Sequence, residues 1–249
     1  MTEKKRRFRI RSLLMAVLVV LAAVAVLQYF SPLRDRSDPA LRASTTDLHV
    51  YAEQGDLYFI PQKPATASTG FIFYPGAKVP KEAYSYLARA VAQSGYPAVL
   101  VGVPLGFAIF GSESASRPIA ALPEVKKWVL GGHSLGGVAA ALFAKKHQDI
   151  VTGIVFLASY PPGGTSLADT RIQALSISAS NDMLATREKI AKATPLLPES
   201  TRYFVVDGGN HAQFGDYGTQ RGDGVAEITP GRQQAETSAS VLAFLAIFR

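Results

Sequence analysis

The chain has 249 residues, 48% hydrophobic and 18% charged, with no cysteine and a formal charge of +7. This length and apolar content suit one medium domain with an appendage and exclude a disordered chain. The lack of cysteine excludes disulfides, thiolate metal sites and a cysteine nucleophile. The placement of charge excludes a nucleic-acid partner. Residues 1–12 carry six cations against Glu3 alone, and the remainder is close to neutral, with no basic stripe.

Behind that basic segment, residues 13–27 form an unbroken apolar run, followed by Gln28, Tyr29 and Phe30. As a helix, 13–30 would extend about 27 Å, close to the hydrocarbon thickness of a bilayer. Cations before the span and aromatics after it predict a single-pass transmembrane signal anchor with its N-terminus in the cytoplasm and the rest outside. The alternative is a cleaved signal peptide, with Ala23-Val24-Ala25 as the small-x-small site, giving a secreted protein. The anchor is favoured because the run stays apolar past that site. Residues 31–47 mix Pro, Ser, Thr and both charge signs without periodicity, which reads as a linker or else as a surface capping loop.

From residue 48 to 249 strand-like and helical runs alternate. Residues 48–52 and 56–60 read as a hairpin turning at Gln54-Gly55. An apolar strand at 70–74 precedes a helix over 81–94, whose Tyr84, Leu87, Ala88 and Val91 share a face. Strands follow at 96–103 and from 127 to 130, then a small-residue helix at 135–146. Further strands are expected at 153–157, 173–178 and 202–206, with helices over 184–193 and 233–248. A hairpin followed by βαβα alternation predicts an α/β domain, with a mostly parallel sheet covered by helices on both faces. Ligands in such sheets bind beyond the carboxyl ends of the strands.

The sharpest signal at a strand end is Gly132-His133-Ser134-Leu135-Gly136, lying between a strand and a helix. Glycines two positions either side of a serine permit a tight turn that lifts the hydroxyl above the sheet. The Leu135 amide would then face a developing oxyanion. Ser134 as nucleophile needs a base. His49 lies in the first strand, His133 should point away across the turn, and His147 ends a helix. His211, in a polar glycine-rich loop after the last strand, is the best candidate. Asp182, after the strand at 173–178, would hold the histidine tautomer; its alternative role is a helix N-cap. The rival carboxylate, Asp207, sits so near His211 that ordering the loop suits it better. A second oxyanion donor should follow the 70–74 strand, where Gly76 permits an unusual turn and the amide of Ala77 or Lys78 could face Ser134. The Lys78 ammonium could instead meet an acidic substrate group. With no histidine pair at ligand spacing, no metal or other cofactor is expected.

The segments PGAKV (75–79), GGHSLGG (131–137), Ser180-Asn181-Asp182 and GGNHAQFGDYG (208–218) resemble α/β-hydrolases, in the branch related to dienelactone hydrolases, over residues 48–249. The resemblance implies an eight-stranded-type sheet and a Ser134–His211–Asp182 triad with Ala77 and Leu135 amides as the oxyanion hole. It also implies hydrolysis of esters, thioesters or related acyl bonds of a small-molecule substrate. Dienelactone hydrolases proper use cysteine where Ser134 stands. Only residues 159–172 separate two strands at the usual lid position, too few for a large lid, so an open site edged by Tyr74, Tyr160 and Phe214 is expected. The expectation is a membrane-anchored serine hydrolase working through an acyl-enzyme. A cell-surface acyltransferase on the same triad and a non-catalytic hydrolase-like binding module are the alternatives.

Overall fold

Two residues that both accept positive φ, Gln54 (49°) and Gly55 (84°), close the first hairpin. That backbone twist matches the strands on either side. Strands β1 (Leu48–Glu53) and β2 (Asp56–Pro61) pair antiparallel from Leu48↔Pro61 to Glu53↔Asp56. The computed structural model describes Met15, residues 18–20, 33–63 and 69–248. The chain divides into Met1–Pro32 and Leu33–Arg249. Most of the expected transmembrane segment, 13–30, lies outside the described residues, as does the basic segment 1–12. Among the described residues no helix is long and apolar enough to cross a membrane.

The remaining strands are β3 (Thr69–Tyr74), β4 (Ala98–Leu100), β5 (Lys127–His133), β6 (Val151–Leu157), β7 (Gln173–Ala179) and β8 (Arg202–Val206). They form one eight-stranded sheet in the order β1-β2-β4-β3-β5-β6-β7-β8. The pairings β1/β2 and β2/β4 are antiparallel and the rest parallel. Successive side chains of β3 supply opposite faces, as the two-residue period requires. Phe71 and Phe73 join Leu87, Val91, Val241 and Phe244 in one core, whereas Ile72 and Tyr74 join Trp128, Ala140 and Phe143 in the other. Helices α1 (Ser85–Gln93) and α5 (Pro230–Leu245) thus cover one face, and α3 (Leu135–Lys146) the other.

Several elements differ from their sequence-based bounds. The strand expected over 96–103 shrinks to β4, because Pro97 has no N–H and the Gly102 amide turns to Asp56 Oδ1 at 2.8 Å. Residues 104–121, which have no apolar period, fold as two 3₁₀ turns, Pro104–Gly106 and Ala108–Ala115, and a short α2, Ser116–Ala121. α4 begins at Arg187 rather than 184, since Asp182 first gathers the amides of Leu184 and Ala185 into a turn. α5 starts earlier than expected, with Pro230 at its first turn and the Thr229 hydroxyl accepting from Arg232 N.

The stretch expected as a linker is, from Leu33 on, a strap laid over the domain. Leu33 N–H donates to Lys78 O and Arg36 N–H to Asp216 O, both at 2.8 Å. Ser37 Oγ donates to Glu82 O, and Arg42 pairs with Asp35 at 3.0 Å. Arg89 donates to the carbonyls of Leu41 and Ala43. The segment is therefore the surface capping loop, the alternative to a linker, held by backbone and side-chain hydrogen bonds.

An ion pair, buried on its acidic side, ties the 104–121 excursion to the hairpin. Asp56, fully buried, accepts from Arg117 Nε and Nη2 (3.0 and 2.6 Å) and from Gly102 N, while Arg117 Nη2 also donates to Gly102 O. Asp56→Ala leaves the Gly102 amide without its acceptor and takes the counter-charge from a partly exposed guanidinium. The expected cost is about 2 kcal/mol, read as a lower urea midpoint at unchanged m value; an unchanged midpoint would contradict this account of the pair.

Candidate active site

Between β5 and α3 the chain reverses direction at one residue, Ser134, held at φ 51° and ψ −121°. A non-glycine residue there is strained, and the surroundings keep it so. A Cβ on Gly132 would overlap the backbone of Gly136. One on Gly136 would overlap the carbonyls of Tyr74 and Pro75, and one on Gly137 the Ser159 side chain. Ser134 N–H donates to Leu157 O at 3.0 Å, and Ser134 O accepts from Ser159 Oγ at 2.6 Å and from Gly137 N at 3.1 Å. The loop after β3 is thereby pressed against the start of α3. Within it, Gly76 N–H donates to Tyr84 Oη and Lys78 N–H to Gly106 O. The amides of Ala77 and Leu135 have no acceptor among the described residues. Of the two donors considered for the β3 loop, Ala77 therefore has its N–H available and Lys78 does not.

His211 and Asp182 meet at 2.8 Å, Nδ1 to Oδ2, both with essentially no exposed side-chain surface. Asp182 Oδ1 accepts from Leu184 N and Ala185 N, each at 2.7 Å. Its carboxylate thus has three donors, which fixes its orientation and leaves His211 Nδ1 as a donor. His211 Nε2 has no hydrogen-bond partner among the described residues. The residue His211 lines the same cleft as Ser134, a cavity of about 310 Å³ at the carboxyl edge of the sheet.

Two devices hold the histidine loop that the sequence reading did not single out. Asp223 accepts from the amides of His211, Ala212 and Gly224 at 3.2, 2.8 and 2.8 Å. Gln233, fully buried on α5, grips Asn210 from both sides, Oε1 accepting from its N–H and Nε2 donating to its carbonyl. The ordering role expected of Asp207 falls to these residues; Asp207 itself is exposed. Neither Asp223 nor Gln233 stood in a recognisable motif, since each acts across a loop of a dozen residues or more.

The expected rim residues separate. Tyr160 lines the cleft. Tyr74 does not: it is fully buried on the opposite face, its hydroxyl donating to Ser112 O and accepting from Ala115 N. Phe214 is also fully buried, its ring 5.9 Å from that of His133, and Lys78 is not a cleft residue. Residues 158–172 contain no helix, so no helical lid stands over the cleft from that connection. Among the other histidines, His49 stacks on Tyr51, and His147 pairs with Glu113 beside Lys146.

Residues 70–236, more than half of the chain, match the alpha/beta hydrolase family. The chain belongs to the α/β-hydrolase family. Solved structures with this fold include an esterase from Thermogutta terrifontis, with a TM-score of 0.58 and 11% identity over 83% of this chain and 99% of that one. A carboxylesterase from Bacillus subtilis has a TM-score of 0.56 and 10% identity over 83% of this chain and 94% of its own. A dienelactone hydrolase from Anabaena variabilis has a TM-score of 0.58 and 15% identity over 79% and 98%. At these identities the likeness is one of fold. No curated protein matches the sequence.

In this α/β-hydrolase, His133 lies beneath the site rather than off to one side. Its Nδ1 is 2.8 Å from Tyr84 Oη and its ring 4.5 Å from that of His211, with Phe214 and Tyr217 around it. Burial, and then the neighbouring His211, hold its pKa well below the ordinary 6.5. The folded chain therefore binds no proton at His133 near pH 6, whereas the unfolded imidazole does. Stability conferred by this site is present above pH 6.5 and falls as pH drops below it, by up to about 1.4 kcal/mol per pH unit. Urea midpoints of the wild type and His133→Asn, measured from pH 8 to 5, should diverge below pH 6.5, with the wild type declining more steeply. Parallel curves would contradict a buried neutral His133.

Proposed function

We propose that the protein is a serine hydrolase that cleaves carboxylic esters or related acyl bonds through an acyl-enzyme. The observation that carries this reading is one cleft holding both Ser134, on its strained turn, and His211, whose Nδ1 is bound to Asp182 and whose Nε2 is unpartnered. In the first half-reaction Ser134 Oγ attacks the acyl carbonyl carbon and His211 Nε2 takes the hydroxyl proton. Asp182 stabilises the resulting imidazolium and holds its orientation. The carbonyl oxygen, now an oxyanion, accepts from the Ala77 and Leu135 amides, the second at the N-terminus of a twelve-residue helix. Collapse expels the alcohol, which leaves with the proton from His211. Water then repeats the sequence on the acyl-enzyme and releases the acid, restoring Ser134. A cleft without a helical lid from 158–172 admits water for that second half.

A fluorophosphonate probe should label the wild type and leave Ser134→Ala unlabelled. Asp182→Asn, which permits the wrong histidine tautomer, should lower kcat on model esters by roughly 10⁴ at near-wild-type stability. Labelling that survives Ser134→Ala would refute the assignment.

The basic segment and apolar run of residues 1–30 support a second part of the reading, that the enzyme is anchored in the cell membrane with its catalytic domain outside. The full-length protein should remain in the membrane pellet after alkaline carbonate extraction, and protease added to intact cells should digest its C-terminal domain. Release into the supernatant with a new N-terminus after Ala25 would instead identify a cleaved signal peptide.

A further inference from the structure

The cleft beside Ser134 carries no formal charge apart from what His211 can acquire. Leu135, Val138, Leu184 and Ala185 give it apolar walls. A charged substrate group would lose its hydration there without a counter-charge, which is costly. The polar side chains outside the triad are those of Ser159, Tyr160 and Gln220. Ser159 Oγ donates at 2.6 Å to Ser134 O, inside the turn. Tyr160 offers a hydroxyl, which can donate or accept and so discriminates little.

Gln220 differs from both. Its Oε1 accepts from Tyr217 Oη at 2.8 Å, and Tyr217 is itself buried. With one lone pair of the oxygen so engaged, the groups of this amide that no described residue meets are the two Nε2–H donors. The loop that carries it is rigidly pinned. Asp223 N donates to Gln220 O, Asn210 Nδ2 to Gly224 O and Asn181 Nδ2 to Val225 O. A donor fixed in this way loses little conformational freedom when it binds.

We infer that Gln220 is a specificity residue whose Nε2–H groups select neutral esters bearing an uncharged hydrogen-bond acceptor, an ether or carbonyl oxygen, a few atoms from the scissile bond. An all-alkyl isostere filling the cleft would cover the donors without pairing them, and a site built around a hydrogen bond rejects such analogues more strongly than it rejects a missing methylene. Charged substrates are disfavoured by the same uncharged walls. The inference rests on the hydrolase reading of Ser134 and names the substrate class for that site.

The test uses the full-length protein and two isosteric ester pairs, so that the acceptor lies either in the acyl or in the alcohol part. One pair is p-nitrophenyl methoxyacetate and butyrate; the other is the 2-methoxyethyl and butyl esters of one acid. Each pair is corrected for its uncatalysed reactivity. The wild type should favour the ether member of at least one pair by roughly tenfold in kcat/KM. In Gln220→Leu that ratio should fall to about one. In Gln220→Glu, which can still accept from Tyr217 but presents an acceptor to the substrate, it should fall below one. The second variant decides the matter if the first does not fold. A wild-type ratio near one in both pairs, or a ratio that survives both substitutions, would overturn the inference. Ester hydrolysis that persists in Ser134→Ala would overturn the underlying reading instead, so the two failures are distinguishable.

Discussion

The whole molecule turns on the contact between Gly136 and the carbonyls of Tyr74 and Pro75. A parallel sheet can present a hydroxyl above its edge only if strand and following helix meet with almost no loop between them. Here the reversal is compressed into Ser134, and the backbone of α3 reaches the end of the neighbouring strand. Each participating glycine faces backbone or a short side chain where any larger residue would force the elements apart. The close approach brings the loop after β3 alongside the start of α3. It therefore sets the relation between Ser134 and the amides of Ala77 and Leu135.

The remaining parts of the site are built from polar groups whose bonds are nearly all spoken for. Asp182 takes three donors, Asp223 three and Gln233 two, so His211 sits on a loop with few alternative conformations. Burying this many polar groups without water is tolerable only because they satisfy one another. His211 Nε2, His133 Nε2 and Gln213 Oε1 are left without partners among the described residues, and of these three residues His211 lines the cleft. Beside it, neutral His133 packs between His211 and the rings of Phe214 and Tyr217 without adding a positive charge.

Local patterns in the chain revealed the parts that act locally. Gly-x-Ser-x-Gly, the Gln54-Gly55 turn and the apolar alternation of β3 each declare their structure within a few residues, and the sheet follows from their order. Asp182 and His211 were legible as the polar residues just past strand ends. What remained hidden acts over long separations: Asp223 and Gln233 on the histidine loop, Asp56 with Arg117, and the anchoring partners of the strap at 33–47. Tyr74 misled for a related reason. Its place at the end of β3 is right for a rim residue, but strand alternation sends its side chain to the opposite core, where Ser112 and Ala115 engage the hydroxyl. Phe214, next to the histidine loop, likewise turns inward as a wall behind His133.

The strap also has a mechanical meaning. Its first two anchoring bonds end on Lys78 and Asp216, one residue past the amide assigned to the oxyanion and five past the histidine. A pull on the chain at residue 33 would be borne first by the loop after β3 and the histidine loop, and only later by the sheet. Tension arriving along the backbone would thus reach the loops of Ala77 and His211 before it reached the core.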